Sequence, residues 1–390
     1  MHTSPPTPSP ERAAALERLL ATGPVFDAHA DSIGLACDLG VDLAVESPGH
    51  LDLPRARAGG LGAWVVVCWV DPDRFLERAA ARAHAMMDAA HELAARRPDR
   101  FRLVGDGAAL DRARGDGVVA GVLGIEGGHA IEGSLAELER FVERGLRVMT
   151  LVWNNHLPWI RSCQDGAGAD VPAGLSGFGR EVVRTMNRLG VVVDLSHAGE
   201  RSFHDALEVS DAPVLASHSG CAALHAHPRN LTDDQLRALR DNGGVCGIVF
   251  HPGFLSAEAR AEQARVRAST CWRGITTTDP TRRFLKEQRM MARKMAPYSI
   301  EGVVDHVAHA VEVAGIEHVG IGSDFDGIEC GPAGLEDASR YGALAERMLA
   351  RGFSLEEVER VLGGNVRRVF ARCTNGIARA DVPVGVGAGS

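Results

Sequence analysis

The chain is 390 residues long, with 45% hydrophobic and 24% charged residues, the composition of a soluble globular protein with enough length for a large core in one or two domains. That excludes a fibrous or mainly disordered molecule, and a formal net charge of −9 with no basic run argues against nucleic acid or an anionic membrane as partner. Small molecules are the expected ligands.

Residues 1–10, MHTSPPTPSP, form a Pro/Ser/Thr tail expected to be disordered, and the amino terminus lacks the basic start and apolar core of a secretory signal. Short apolar runs of strand length then alternate with longer helical patterns. PVFDAHA (24–30) is followed by AWVVVCWV (63–70), a helix over 74–97, VVAGVLGIE (118–126), a helix over 135–145 and LRVMTLVW (146–153). A helix over 177–190, GVVVDLS (190–196), PVLAS (213–217), a helix over 233–244, GVCGIVF (244–250), a helix over 300–315 and HVGIGSD (318–324) continue the alternation. Between the seventh run and its helix, residues 255–297 are basic, strandless and helix-forming, and read as a long insertion of the kind that caps a site. LEDASRYGALAERMLARG and SLEEVERVLGGNVRRVFARC add C-terminal helices, and residues 379–390 read as a second disordered tail.

Most of the eight runs are apolar throughout, as strands are when a packed barrel interior covers one face and helices cover the other. The expected fold is therefore α/β, a closed (β/α)8 TIM barrel occupying residues 11–378 as one domain, rather than an open sheet. Eight scattered cysteines without a CxxC pair, several inside runs such as VVVCWV and GVCGIVF, read as buried thiols in a reducing compartment. No apolar run reaches the roughly 18 residues that span a bilayer. The C-terminal DVPVGVGAGS is too short for an anchor, so a cytoplasmic chain without a membrane anchor is expected.

In such a barrel the C-terminal strand ends converge on one mouth, and residues able to hold a metal fall there repeatedly. His29 and Asp31 end the first strand, where alternation puts positions i and i+2 on one face. Glu126 ends the third in GIEGGHAI, and Gly127 and Gly128 let the chain turn sharply behind it. His197 follows the fifth in VVVDLSH, His218 the sixth in PVLASH, and Asp324 closes the eighth in VGIGSD. Singly, a strand-end histidine is more often a hydrogen-bonded loop residue and a strand-end aspartate a helix cap. Three histidines and three acids at corresponding ends of separate strands point instead to a shared metal site. Nitrogen and carboxylate ligands without thiolates suit zinc, with manganese, cobalt or iron as alternatives.

The stretches DAHAD, GIEGGHAIEGSL, GLSGFGREVVRTMNRLGVVVDLSH, APVLASHS, HPRNLTDDQL, HVGIGSDFDG and GLEDASRY resemble, in order, the membrane (renal-type) dipeptidases, peptidase family M19, a branch of the amidohydrolase-like barrels. The match runs from about residue 24 to 372, with its main gap at 255–297. The resemblance implies a hydrolase of small dipeptides, including those with a C-terminal D-residue, and a homodimer. It implies that His29 and Asp31 are ligands of one zinc, that Glu126 bridges two zincs, and that His197 and His218 are ligands of the second. It further implies that Asp324 handles the proton of a metal-activated water and that Arg229, in HPRN, binds the substrate's free carboxylate. His129 matches a motif residue that acts behind the ligands or is a buried structural histidine.

Strand four departs from the family. Mammalian members end it in a Thr-His-Asn run whose histidine contacts the substrate carbonyl, whereas Trp153 stands there in TLVWNNHLPW (150–159). The indole N–H remains a donor but cannot carry a positive charge. Trp153, Asn154 and His156 are the substrate-binding candidates of this stretch, with His156 placed to compensate. Alternatively Trp153 walls the pocket and His156 is a solvated loop residue. His251, in VFHPGF, is a second unusual polar residue near the mouth. The leading expectation is a zinc dipeptidase with a binuclear-metal-activated water. The alternatives are a related metal-dependent amidohydrolase acting on a non-dipeptide amide or lactone, and a barrel that binds a metabolite without turning it over. The basic insertion is either a solvated helical surface or a lid or subunit contact favouring anionic substrates.

Overall fold

The computed structural model describes residues 10–376. Eight parallel strands follow one another around a barrel: β1 (Val25–Ala30), β2 (Leu61–Trp69), β3 (Val119–Glu126), β4 (Leu146–Thr150), β5 (Val192–Asp194), β6 (Leu215–Ser219), β7 (Val245–Ile248) and β8 (Val319–Ile321). Closure comes just past the end of β8. There Ala30 bridges Phe325, Asp324 N donates to His29 O (3.0 Å) and Asp31 N to Phe325 O (2.8 Å).

Each strand lies where its apolar run placed it, and the period of two explains why the runs are apolar throughout. In β2, Ala63, Val65 and Val67 point inward with Ala28, Val122, Val148 and Val245. Trp64, Val66 and Cys68 point outward into a layer shared with Met86, Leu138 and Val182 of the surrounding helices. Trp64 is fully buried and stacked on Phe101 (4.8 Å between ring centroids), so truncation to alanine would cost about 3–5 kcal/mol. Helix Asn365–Thr374 closes the N-terminal end of the barrel by placing Val366, Val369 and Phe370 against Phe26.

One strand was not anticipated. Phe101–Leu103 pairs with Val119–Gly121 along the start of β3, below Leu123 where β4 joins the same edge. Three residues containing an arginine give no strand signal, and Arg102 reaches Asp116 instead (2.9 Å). Pro10, assigned to the tail by composition, is the first residue of helix Pro10–Ala21, where a missing N–H costs nothing. Residues 1–9 and the expected tail at 379–390 lie outside the described residues.

The insertion is helical: Ala257–Arg267, Thr270–Arg273 and Pro280–Lys294. The last of these turns Leu285, Gln288 and Met291 inward. It is tied down by Gln288 Nε2 donating to Ile328 O (3.1 Å) and Thr281 Oγ1 donating to Asp38 (2.5 Å). Among the described residues no helix is long and apolar enough to cross a membrane.

Candidate metal centre

The six residues singled out from the sequence converge at the C-terminal mouth. His29 and Asp31 come from β1, whose end is fixed by the buried Asp27: its Oδ1 accepts from His29 N (3.1 Å) and Ser323 N (2.8 Å), and its Oδ2 accepts from the Tyr341 hydroxyl. Glu126 is the last residue of β3, and Gly127 takes φ 98°, a turn open to glycine and strained for other residues. His218 lies within β6. His197 and Asp324 sit just beyond β5 and β8 with φ of 67° and 62°. A non-glycine residue in that region is uncommon and costs on the order of 1–3 kcal/mol, and such strain tends to gather at functional sites.

Glu126 is the hub. Its Oε1 lies 3.0 Å from His197 Nε2 and 3.3 Å from His218 Nε2, while its Oε2 lies 3.7 Å from His29 Nε2. Asp31 Oδ2 is 3.6 Å from His29 Nε2. Three sets, His29/Asp31/Glu126, Glu126/His197/His218 and His29/His218/Asp324, each bring their ligand atoms within 4.8 Å of one another.

The donor set fits divalent cations. Asn154 Oδ1, which can only accept, lies 2.9 Å from His197 Nδ1, so the ring proton is there and Nε2 presents a lone pair. His218 Nε2 faces His197 Nε2 at 3.1 Å, a contact between two ring nitrogens that a cation relieves. His29 Nε2 and Asp31 Oδ1 are buried without a hydrogen-bond partner. Oxygen and imidazole donors without thiolate suit zinc and its neighbours.

The electrostatics agree. Burial holds His218 well below its usual range and His197 down to about 4, in each case aided by the charge of Arg229, so both rings are neutral and ready to ligate. Burial also lowers His29, but the charges of Glu126, Asp31 and Asp324 outweigh it and raise that ring to about 10. Burial lifts Asp31 well above the carboxylate range and, with the charge of Glu126, lifts Asp324 to about 7. Crowded acids that hold protons in this way exchange them for a metal ion.

The cluster opens into a cavity of about 480 Å³ walled by Trp69, Phe75, Trp153, His251 and Phe284. Arg229 reaches it, 3% exposed: its Nη2 donates to His218 O (3.0 Å) and its Nε is buried without a partner. Trp153 packs 5.1 Å from Trp69 and 6.1 Å from His197 between ring centroids. Asn154 lines the cavity, with its side-chain oxygen occupied by His197 and by Gln164 Nε2 (3.1 Å).

His156 is not brought to the cavity. Its Nδ1 accepts from Ser162 N (3.2 Å) and its Nε2 donates to Asp165 O (3.3 Å), holding the loop that follows β4. His129 donates from Nε2 to Val70 O (2.8 Å), pinning the end of β2 beside Glu126. Sequence reasoning missed Trp69, Phe75 and Phe284, which meet only when the barrel closes and the insertion packs. It also missed Ser217 and Asp194, whose signal was their place beside a ligand in LASH and VDLSH.

A closed parallel barrel with a buried cluster of carboxylates and imidazoles at its C-terminal mouth defines an amidohydrolase-like, metal-dependent hydrolase. The sequence profile described as membrane dipeptidase (peptidase family M19) matches residues 13–380, and the chain belongs to that family. An uncharacterized dipeptidase of Schizosaccharomyces pombe is 33% identical over 334 residues, 83% of this chain and 72% of that protein. The crystal structure of the probable dipeptidase PvdM from Pseudomonas aeruginosa superposes with a TM-score of 0.80 over 94% of this chain and 99% of that one; at 22% identity it speaks to the fold. A metallopeptidase from Rhodobacter sphaeroides, bound to a phosphinate mimic of the dipeptide L-Ala-D-Ala, matches with a TM-score of 0.74 and 27% identity over 90% of this chain and 99% of that one.

Proposed function

We propose that the protein is a zinc dipeptidase that hydrolyses small dipeptides, including those with a D-residue at the C-terminus, with two ions bridged by Glu126. The observation that carries this reading is Glu126 itself: one carboxylate oxygen faces His197 and His218, while the other faces His29. When bound, the two ions polarise the scissile carbonyl and activate a water. Asp324, whose carboxylate lies within 4.8 Å of the ligand atoms of His29 and His218, accepts a proton from the attacking water and passes it to the leaving amine as the C–N bond breaks. Arg229 holds the substrate's terminal carboxylate through its free Nε–H and thereby sets the distance to the scissile bond. Trp69 and Trp153 shield the reacting centre from water.

Tolerance of a C-terminal D-residue is supported by the ligand of the Rhodobacter sphaeroides relative. All eight cysteines are free thiols, which supports a reducing, cytoplasmic setting. A homodimer is the assembly expected from the family, and light scattering in solution tests it. Chelation should abolish hydrolysis across a panel of L,L and L,D dipeptides, and added Zn2+ should restore it. Activity that survives complete metal removal refutes the reading.

A second reading is favoured by Trp153: the same centre acts on an amide or lactone that is not a dipeptide, because an indole cannot supply the charged donor of a histidine. N-acyl amino acids and lactones screened beside the dipeptides separate the two.

A further inference from the structure

We infer that the buried Ser217–Asp194 pair sets the lone pairs of one ligand at each metal position, so that a single hydroxyl positions both halves of the centre. The inference rests on the metal-binding reading above and concerns residues that touch neither substrate nor metal.

Ser217 lies in β6 between the barrel wall and two rings of the cluster and is fully buried. Its Oγ is 2.8 Å from His218 Nδ1 and 3.2 Å from His29 Nδ1. These histidines belong to different sets, His218 with Glu126 and His197, and His29 with Glu126 and Asp31. A serine hydroxyl has one proton, and its direction decides what both rings can do.

That direction is fixed by Asp194, which is itself fully buried. Asp194 Oδ1 accepts from the main-chain N–H of Ser217 (2.8 Å) and of Ser196 (3.1 Å), and Oδ2 accepts from Thr150 Oγ1 (2.5 Å) and Ser217 Oγ (2.7 Å). Four donors converge on one carboxylate, which can only accept, so the Ser217 proton points at Asp194. The two lone pairs of Ser217 Oγ are therefore left to accept from the two rings, His218 Nδ1–H and His29 Nδ1–H. With a proton held on Nδ1, each ring keeps Nε2, which faces Glu126, as its ligating atom; neutral His218 presents it bare, and charged His29 gives up its Nε2 proton to an entering cation. His197 is set independently by Asn154 (2.9 Å).

The arrangement makes an isosteric change informative. In Asp194→Asn, two rigid main-chain donors keep the amide oxygen at the Oδ1 position, so the NH2 takes the Oδ2 position and donates to Ser217 Oγ. The hydroxyl then turns round and donates to a ring Nδ1, moving a ring proton to Nε2, where it blocks the metal. Ser217→Ala removes the acceptor altogether.

Demetallated wild type, Asp194→Asn, Ser217→Ala and Asn154→Ala are titrated with Zn2+ against a chromophoric chelator that resolves both binding steps. Loss of a partner that orients a ligand typically weakens metal affinity by about 10–100-fold. Ser217→Ala should weaken both steps by that factor, Asp194→Asn the step that uses the ring its turned hydroxyl reaches, and Asn154→Ala one step. The 15N shifts of the metal-free protein should show the His218 proton on Nδ1 in wild type and a population on Nε2 in Asp194→Asn, at an unchanged far-ultraviolet circular dichroism. Wild-type affinities in both Asp194→Asn and Ser217→Ala, or weakening confined to one step in Ser217→Ala, overturns the inference. Wild-type protein that takes up no Zn2+ overturns the metal reading beneath it.

Discussion

Replacing Arg229 with methionine tests how the cavity recognises one end of its substrate. The guanidinium is only partly engaged: Nη2 gives one hydrogen bond to His218 O at 3.0 Å, while the buried Nε–H has no partner. A terminal carboxylate docked there would gain two hydrogen bonds to a charged donor, each contributing about 1.5–3 kcal/mol. Losing both is a loss of about 3–6 kcal/mol, or about 10²–10⁴-fold in kcat/KM. The contact is made equally in bound substrate and transition state, so the loss should fall mainly on KM. Arg229→Lys restores a charge without the planar fork and should recover part of it.

The assay is steady-state hydrolysis of one dipeptide and its C-terminal amide by each variant, with thermal unfolding run alongside, because methionine also leaves His218 O without its donor. Wild type should prefer the free acid by about the factor that Arg229→Met loses, and Arg229→Met should be nearly indifferent between the two. A KM within about threefold of wild type, or a retained preference for the free acid, refutes the role of Arg229.

Three other outcomes follow from the geometry. A methyl on Gly327 would overlap Asp324 Oδ1 and Asp31 Oδ2. Gly327→Ala should therefore lose metal content while the metal-free fold weakens by only about 1–3 kcal/mol, checked by metal analysis and denaturant unfolding. His251 is held down to about 3 by burial and the charge of Arg267, below an ordinary value of 6.5. Its contribution to stability is complete above about pH 6.5 and lost as pH falls toward 3, at up to about 1.4 kcal/mol per pH unit, so His251→Gln should flatten the acid limb of metal-free protein by that slope. Trp153→His restores a chargeable donor beside the centre and should shift the dipeptide-to-lactone activity ratio by at least about tenfold; an unchanged ratio would show that Trp153 only walls the cavity.

Much of this architecture was legible because barrel strands are covered on both faces. Runs such as AWVVVCWV can be apolar at every position, and eight of them mark eight strands. The six cluster residues were legible because each stands at the C-terminal end of such a run, where a polar side chain interrupts an otherwise apolar pattern. FRL (101–103) was illegible because three residues carry no period. Ser217 and Asp194 were hidden because a serine or aspartate at a strand end also reads as a cap, and only closure of the barrel shows Ser217 facing two rings with Asp194 behind it. His156 shows the opposite failure: three positions from Trp153 in sequence, it spends its ring on Ser162 and Asp165 in the loop.

The centre and the wall of the cavity are held by different parts of the molecule. The six cluster residues hang from strands, and the strained backbone at Asp324 is fixed by its N–H to His29 O and by Gly327 and Ile328, whose N–H groups each donate to Asp324 O at 3.0 Å. His197 is fixed in the same way by Cys163 N, which donates to its carbonyl at 2.7 Å. Such over-determined positions tolerate little change. Phe75 and Phe284 instead come from a loop-side helix and from the insertion, which meets the barrel through side-chain ties such as Thr281 to Asp38 and Gln288 to Ile328. Substitutions at Phe75 or Phe284 should reshape the cavity while leaving metal affinity at the wild-type value, which metal titration checks. On the proposed function, the barrel would set the chemistry, while the insertion and Trp153 would set what reaches it.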